Sequence, residues 1–247
     1  MLAFALNAAT EAGKLTLGYF QQGVAVDHKS DESPVTIADR EAEALLRRLI
    51  AQKYPSHGLY GEEQGQEGNQ SERWVIDPID GTKSFVCGVP LYAVLLSYER
   101  EGEPLIGISH FPALNETVYA VRSAGAYWND RPCRVSKTAE LKRSTLCTGS
   151  HKSLAIHGRL EGLVSLSHQV QATRTWCDAY GHCLVATGRV EAMIDPVVAY
   201  YDLSAVSLIV AEAGGMFTDF DGNSGIHHEA ISSNGVLHPT VLEAFAE

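Results

Sequence analysis

The segment WVIDPIDGT, Trp74 to Thr82, restricts the folds open to this chain more than any other. Trp74, Val75 and Ile76 read as a short core strand. It ends on two aspartates three residues apart, Asp77 and Asp80, set among the turn-formers Pro78 and Gly81. A turn needs one aspartate at most. Two carboxylates facing one another repel unless positive charge lies between them. The fold must therefore carry a buried strand end to a place where such charge is supplied.

Further acidic groups stand at element ends. Glu62 and Glu63 follow the apolar GLY, and Asp202 opens YDLSAVSLIV, whose Leu203, Val206, Ile209, Val210 and Ala213 share a core-facing stripe. Singly, each has a plain reading: Asp-Pro and Asp-Gly as turn dipeptides, Glu-Glu as a solvated pair, Asp202 as a helix cap. Gathered together they form an oxygen-only, strongly negative cage. No His or Cys shares the spacing. Hard oxygen ligands select Mg2+, Mn2+ or Ca2+ over Zn2+, and sparse carboxylates with room for water and phosphate suit Mg2+ best.

The chain has 247 residues, 45% of them hydrophobic, enough for a substantial core in one large domain or two closely packed ones. Its net charge of −11 and pI of about 5.3 argue against nucleic acid or an anionic membrane as the main partner. No apolar run reaches the roughly 18 residues of a membrane span. The N-terminus reads as an amphipathic helix rather than a signal peptide. Five scattered cysteines without a CxxC fit free thiols in a reducing cytoplasm. The ten histidines show no useful pairing.

Helical spacing runs from Leu2 to Phe20 and again through SPVTIADREAEALLRRLIAQKYP, where Ala42, Leu45, Leu46, Leu49 and Ile50 share a face and Asp39 sits in the first turn. GLY enters a polar, Gly-rich loop. Short β runs at hairpin spacing follow: YAVLLSYER, LIGISHF, ETVYAVR and GAYWND. The second half alternates: a strand at STLCTG, a helix at DAYGHCLVATG, a strand at VEAMID, a helix from Tyr201 and a strand at MFTDF. This is α/β punctuation. A boundary around the polar SKTAELKRS divides the chain into halves 1–140 and 141–247.

These motifs resemble the inositol monophosphatase superfamily of Mg2+-dependent phosphatases. GEE, Gly61 to Glu63, is similar to its first metal motif, and DPIDGT, Asp77 to Thr82, to its most specific one. YDLSA, Tyr201 to Ala205, resembles W-D-x-A-A with Tyr in place of Trp, and AEAGG, Ala211 to Gly215, also fits. The likeness runs from Ala38-Asp39 to Asn234-Gly235. Cys177-Asp178-Ala179-Tyr180 resembles the histidinol-phosphate phosphatase branch, whereas the GTK form, Gly81 to Lys83, also occurs in 3′-phosphoadenosine 5′-phosphate phosphatases.

The resemblance implies an α/β (α+β) chain with the layered αβαβα sugar-phosphatase fold, acting as a cytoplasmic homodimer. It implies hydrolysis of L-histidinol phosphate, in histidine biosynthesis. Inositol-1-phosphatase and phosphoadenosine phosphatase stand as alternatives, as does a regulatory binding protein on the same fold. It further implies two or three Mg2+ per site, with Mn2+ as a substitute: one ion on Glu62, Asp77 and the Ile79 carbonyl, another on Asp77, Asp80 and Asp202. Attraction of the phosphate by metal rather than by Lys or Arg accounts for the acidic charge. The phosphate would lie over the backbone N–H groups of Asp80, Gly81 and Thr82, helped by the positive end of a helix starting near Thr82. Thr82 would orient a metal-activated water, with Asp39 or Glu63 taking its proton. Arg174, Asp178 and Asp195 are the candidate contacts to the leaving group.

Overall fold

The computed structural model describes residues 1–29, 33–176 and 178–246; Cys177, in the branch motif, lies outside them. The first apolar stripe forms α1 (Leu2–Tyr19), whose Ala5, Ala8, Ala9 and Ala12 are buried. Such small residues allow close approach to the next helix. A hairpin, β1 (Val26–His28) and β2 (Pro34–Thr36), leads into α2 (Ile37–Lys53). Thr36 caps α2: its hydroxyl accepts from the Ala38 N–H, while Asp39 Oδ2 accepts from the Thr36 N–H at 2.8 Å and hydroxyl at 2.6 Å.

There follow β3 (Gly58–Gly61), β4 (Gly65–Glu67), β5 (Glu72–Asp80), the short α3 (Thr82–Val86), β6 (Ala93–Arg100), β7 (Glu103–Phe111), β8 (Glu116–Val121), β9 (Gly125–Trp128) and β10 (Arg131–Cys133). They build one sheet in the order β10-β9-β8-β7-β6-β5-β3-β4, antiparallel except for β3 beside β5. Then come β11 (Thr145–Thr148), α4 (His151–Ile156), α5 (Leu160–Ser167), β12 (Ala172–Arg174), α6 (Ala179–Ala186), β13 (Ala192–Asp195), α7 (Tyr200–Glu212), β14 (Met216–Thr218), β15 (Ala230–Ser233) and α8 (His238–Glu243). Their sheet has the order β12-β11-β13-β15-β14 and is mixed, parallel at β11 and antiparallel at β15.

Alternation within strands sets the layers. On β6, Val94 and Leu96 pack with Ala8, Leu46 and Ile50 of α1 and α2, while Ala93 and Leu95 pack with Leu203 and Val206 of α7. Burial on both faces explains why this strand reads as a continuous apolar run. Helices α6 and α7 fill the space between the sheets. Leu154 of α4, Leu163 and Leu166 of α5, and Val241 of α8 cover the far face of the second sheet on Leu146, Ile194 and Ile231. The result is the layered αβαβα arrangement.

The hairpin β1–β2, the short strands β4, β10, β12 and β15, and helices α4, α5 and α8 were not foreseen from sequence. The second helix begins at Ile37 with Asp39 in its first turn, as expected, and Pro34–Thr36 before it pairs as β2.

Candidate active site

A cleft opens where β3, β5, α3, α6, β13 and α7 converge. Strand β5 delivers Asp77 and Asp80 to it. In a regular strand, residues three apart face opposite ways. Here the register against β6 shifts between Asp77 and Asp80, an irregularity of the bulge kind that re-aims a side chain. Pro78 lies inside the shift, with no N–H for the ladder to lose. Asp202 joins from the first turn of α7. One carboxylate oxygen from each of Asp77, Asp80 and Asp202 lies within 4.8 Å of the others.

Each carboxylate is oriented by one backbone donor. The Ile79 N–H donates to Asp77 Oδ1 at 3.1 Å, the Ala179 N–H to Asp80 Oδ2 at 2.9 Å and the Ala199 N–H to Asp202 Oδ2 at 2.7 Å. These backbone bonds do not offset burial. Desolvation raises the Asp77 carboxyl far above the usual range, and Glu62, Asp80 and Asp202 push it further. Desolvation likewise raises Asp80, followed by Asp178 and Asp202, and Asp202 is pushed up to about 7. Three acids that repel one another, Asp77 and Asp80 buried and Asp202 half-buried, all with hard oxygen donors, fit a divalent cation.

Glu62 lines the same cleft but stands outside the tight cluster. Lys29 donates to Glu62 at 2.7 Å and to Glu63 at 2.6 Å. The Glu62–Glu63 turn is itself held from behind: Glu43 of α2, fully buried, accepts from the Glu63 N–H at 2.7 Å and the Gln64 N–H at 3.1 Å and pairs with Arg47. A Cβ at Gly61 would collide with the Glu43 carboxylate, which is why glycine opens this motif. Neither Lys29 nor Glu43 was anticipated. Glu43 carried a signal, a charge on the same helical face as Leu46 and Ile50; Lys29 carried none.

Thr82 begins α3 beside Gly81, whose φ of +78° favours glycine. The Thr82 hydroxyl lies 3.3 Å from Asp39 Oδ1 and 3.0 Å from the Ile79 carbonyl. Burial raises the Asp39 carboxyl and the bonds from Thr36 and Thr82 oppose it. Burial also raises Glu63, whose carboxylate is bound by Lys29. At five residues α3 is little more than one turn, so it offers local N–H groups rather than the helix field expected.

Asp178 and Asp195 line the cleft. A Cβ at Gly81 would come within 3.0 Å of Asp178 Oδ2, and one at Gly149 within 2.6 Å of Asp195 Oδ1. Both glycines thus make room for acids. Asp195 is raised well above its ordinary value by burial, then by Asp178 and Asp202, with Lys83 opposing. Arg174 is a different matter. It sits exposed on the edge strand β12, donates to the Thr173 carbonyl and does not line the cleft. His182 also lines the cleft, buried, its Nδ1 2.8 Å from the Ser232 hydroxyl, and burial pushes its pKa down to about 3, so the ring is neutral. Cys87, Cys133, Cys147 and Cys183 are free thiols, and no helix among the described residues is long and apolar enough to cross a membrane.

The histidinol-phosphatase of Chlorobaculum parvum is 44% identical over 98% of this chain and 95% of its own length. That of Mycobacterium tuberculosis is 38% identical, again over 98% and 95%. Among solved structures, the inositol monophosphatase of Thermotoga maritima superposes with a TM-score of 0.92 at 31% identity, covering 99% of this chain and 96% of that one. The model of the inositol monophosphatase family matches residues 1–247. With likeness of sequence and fold running end to end, the chain belongs to the inositol monophosphatase family and is a phosphoric monoester hydrolase.

Proposed function

We propose that this phosphatase hydrolyses L-histidinol phosphate to L-histidinol and phosphate, with Mg2+ as its ion. The observation that carries the reading is the acidic pair Asp178 and Asp195 at the cleft wall, beside the cluster that would hold metal. A polyol offers no positive charge to a buried Asp195 and a half-buried Asp178. Histidinol phosphate brings an ammonium and an imidazole, which do. Kinship with chains named histidinol-phosphatases supports the same choice.

Asp77, Asp80 and Asp202, with Glu62 and the Ile79 carbonyl, are the proposed ligands for two or three ions, Mn2+ being an acceptable substitute. When bound, such ions supply positive charge that polarises the phosphoryl group and makes nearby water more acidic. The chain's own groups do the rest. Backbone N–H groups of Asp80, Gly81 and Thr82 receive the phosphate, and Gly81 lets it come close. The Thr82 oxygen would accept a hydrogen bond from the attacking water while its own proton, which reaches the Ile79 carbonyl at 3.0 Å and Asp39 Oδ1 at 3.3 Å, would turn to Asp39. The raised Asp39 carboxylate, its other oxygen held by Thr36, takes that proton as Thr82 takes one from the water. Glu63 is the second acceptor, at one remove, because Thr82 bonds Asp39. Water attacks phosphorus in line, the ester P–O bond breaks and the departing alkoxide takes a proton from solvent, with no phospho-enzyme. A cytoplasmic homodimer belongs to the same proposal.

The deciding experiment measures phosphate release from L-histidinol phosphate, inositol 1-phosphate and 3′-phosphoadenosine 5′-phosphate, with Mg2+ and after chelation. Histidinol phosphate should be turned over fastest, EDTA should abolish activity and Mg2+ should restore it. Preference for either other ester refutes the substrate, and full activity after exhaustive chelation refutes the metal.

Asp195→Asn tests the specificity wall. It keeps the shape and removes the charge. A charge-assisted hydrogen bond is worth about 1.5–3 kcal/mol, so KM for histidinol phosphate should rise about 10- to 100-fold with kcat nearly unchanged. Hydrolysis of an uncharged polyol phosphate should change far less. Equal losses on both esters would remove Asp195 from recognition.

A further inference from the structure

Behind the carboxylate cluster lies an ion pair that does not line the cleft. Glu99 of β6 is fully buried. Its Oε2 accepts from Arg73 Nε of β5 at 2.8 Å. Its Oε1 accepts from the Tyr200 hydroxyl at 2.9 Å and the Ser204 hydroxyl at 2.6 Å. Tyr200 and Ser204 are one turn apart at the start of α7 and bracket Asp202 in sequence. The Arg73 guanidinium also lies over two rings, Tyr200 at 5.1 Å and Tyr60 of β3 at 5.4 Å, and the two rings stack with centroids 5.7 Å apart.

The spacing along the chain gives this cluster its meaning. Tyr60 stands two residues before Glu62, Arg73 four before Asp77, and Tyr200 two before Asp202. A single ion pair thus touches each of the three elements that carry the acidic ligands. A buried ion pair is weak evidence of stabilisation, because apolar side chains of equal volume often do as well. Its distinguishing property is direction. The apolar packing of Leu203 and Val206 against the sheet is non-directional and does not by itself fix the rotation of α7 about its axis. Two hydroxyls on one carboxylate oxygen do. Burial and Glu99 hold the Tyr200 hydroxyl up at about 12, so it remains a donor across the working pH range.

We propose that the Arg73–Glu99 pair is a positioning device for the acidic cluster. It locks the first turn of α7 against β3 and β5 and thereby sets the separation of Asp202 from Asp77 and Glu62. The inference rests on the reading of that cluster as a divalent-cation site.

The test titrates Mn2+ into the metal-free full-length protein and follows the free ion by electron paramagnetic resonance, for the parent, Glu99→Gln, Tyr200→Phe and Ser204→Ala. Supporting groups one layer behind metal ligands change metal affinity about 10- to 100-fold. Glu99→Gln should weaken Mn2+ binding within that range, and Tyr200→Phe by about tenfold. Tyr200→Phe keeps the ring stack and removes one hydrogen bond, so it decides the matter where Glu99→Gln, which leaves Arg73 unpaired, does not fold. A lowered melting temperature with parental Mn2+ affinity makes the pair merely structural and overturns the proposal. A parent protein that binds no Mn2+ overturns the cation site itself, and the positioning role with it.

Discussion

Asp80→Asn should cost far more activity than any change behind the cluster, beyond the 10- to 100-fold typical of supporting groups, while making the chelated protein more stable. Asparagine keeps an acceptor for the Ala179 N–H, so the local backbone bond survives. On the proposed reading, the lost charge should lower the affinity for the cation, because of the three clustered carboxylates only Asp77 and Asp202 remain. In EDTA the sign reverses. Burial, then Asp178 and Asp202, raise Asp80 above its unfolded value. A carboxyl so raised contributes stability below its unfolded pKa of about 4, and that contribution disappears as pH rises through the folded value. Asp202, pushed up to about 7, behaves alike and loses its contribution between about pH 4 and 7. The chelated parent should therefore melt lower at pH 8 than at pH 5, and Asp80→Asn should melt above it at pH 8, with the gap narrowing toward pH 4. Thermal melts with EDTA and with Mg2+, beside turnover, check both arms. Equal melting of the two chelated proteins at pH 8 would show that the carboxylates do not repel as their placement requires.

Thr82→Ala should lower kcat by roughly 100-fold or more, in the range of a lost general-base route. In the proposed route the hydroxyl would link the water to Asp39, whose other oxygen is held by Thr36. Alanine leaves Gly81 and its N–H groups in place, so phosphate binding and KM should move little. Serine restores the hydroxyl and should recover most of the rate. If Thr82→Ala instead raised KM and spared kcat, the residue would be a phosphate contact rather than a route for the proton. Asp39→Asn should match the alanine variant in kcat and add little when combined with it, since both break one chain.

The acids of the site were legible because each ends a strongly apolar element. Asp77 closes WVI, Asp195 closes AMI and Asp202 opens the stripe of α7, so burial could be inferred from their neighbours. What aligns Asp77 with Asp80 was not legible. The register shift is decided by pairing with β6, and nothing in DPID specifies its partner. Arg174 shows the same limit. On a three-residue edge strand no alternation exists to say which way a side chain faces, and the pairing of β12 with β11 leaves it in solvent. Strands such as β15, with its small polar AISS, lack the β-branched run that would mark them, and their burial comes from α8 and β13. Glu99 escaped notice because Glu-Arg at a strand end reads as a solvated turn; its burial depends on α7, which lies far along the chain.

That placement of α7 bears on how the protein is made. Once Cys133 has left the ribosome, every strand of the eight-stranded sheet exists. Yet Leu95, Phe111, Val118 and Ala120 still lack the helix that covers them. Until α7 is synthesised the growing polypeptide carries a bare apolar face, and folding during translation must wait or rely on a holdase. The same helix brings Asp202, so the last carboxylate of the acidic cluster and the missing cover arrive together. A truncated or stalled product would thus lack one carboxylate of the cluster, and the complete cluster exists only in a chain in which α7 already covers the first sheet.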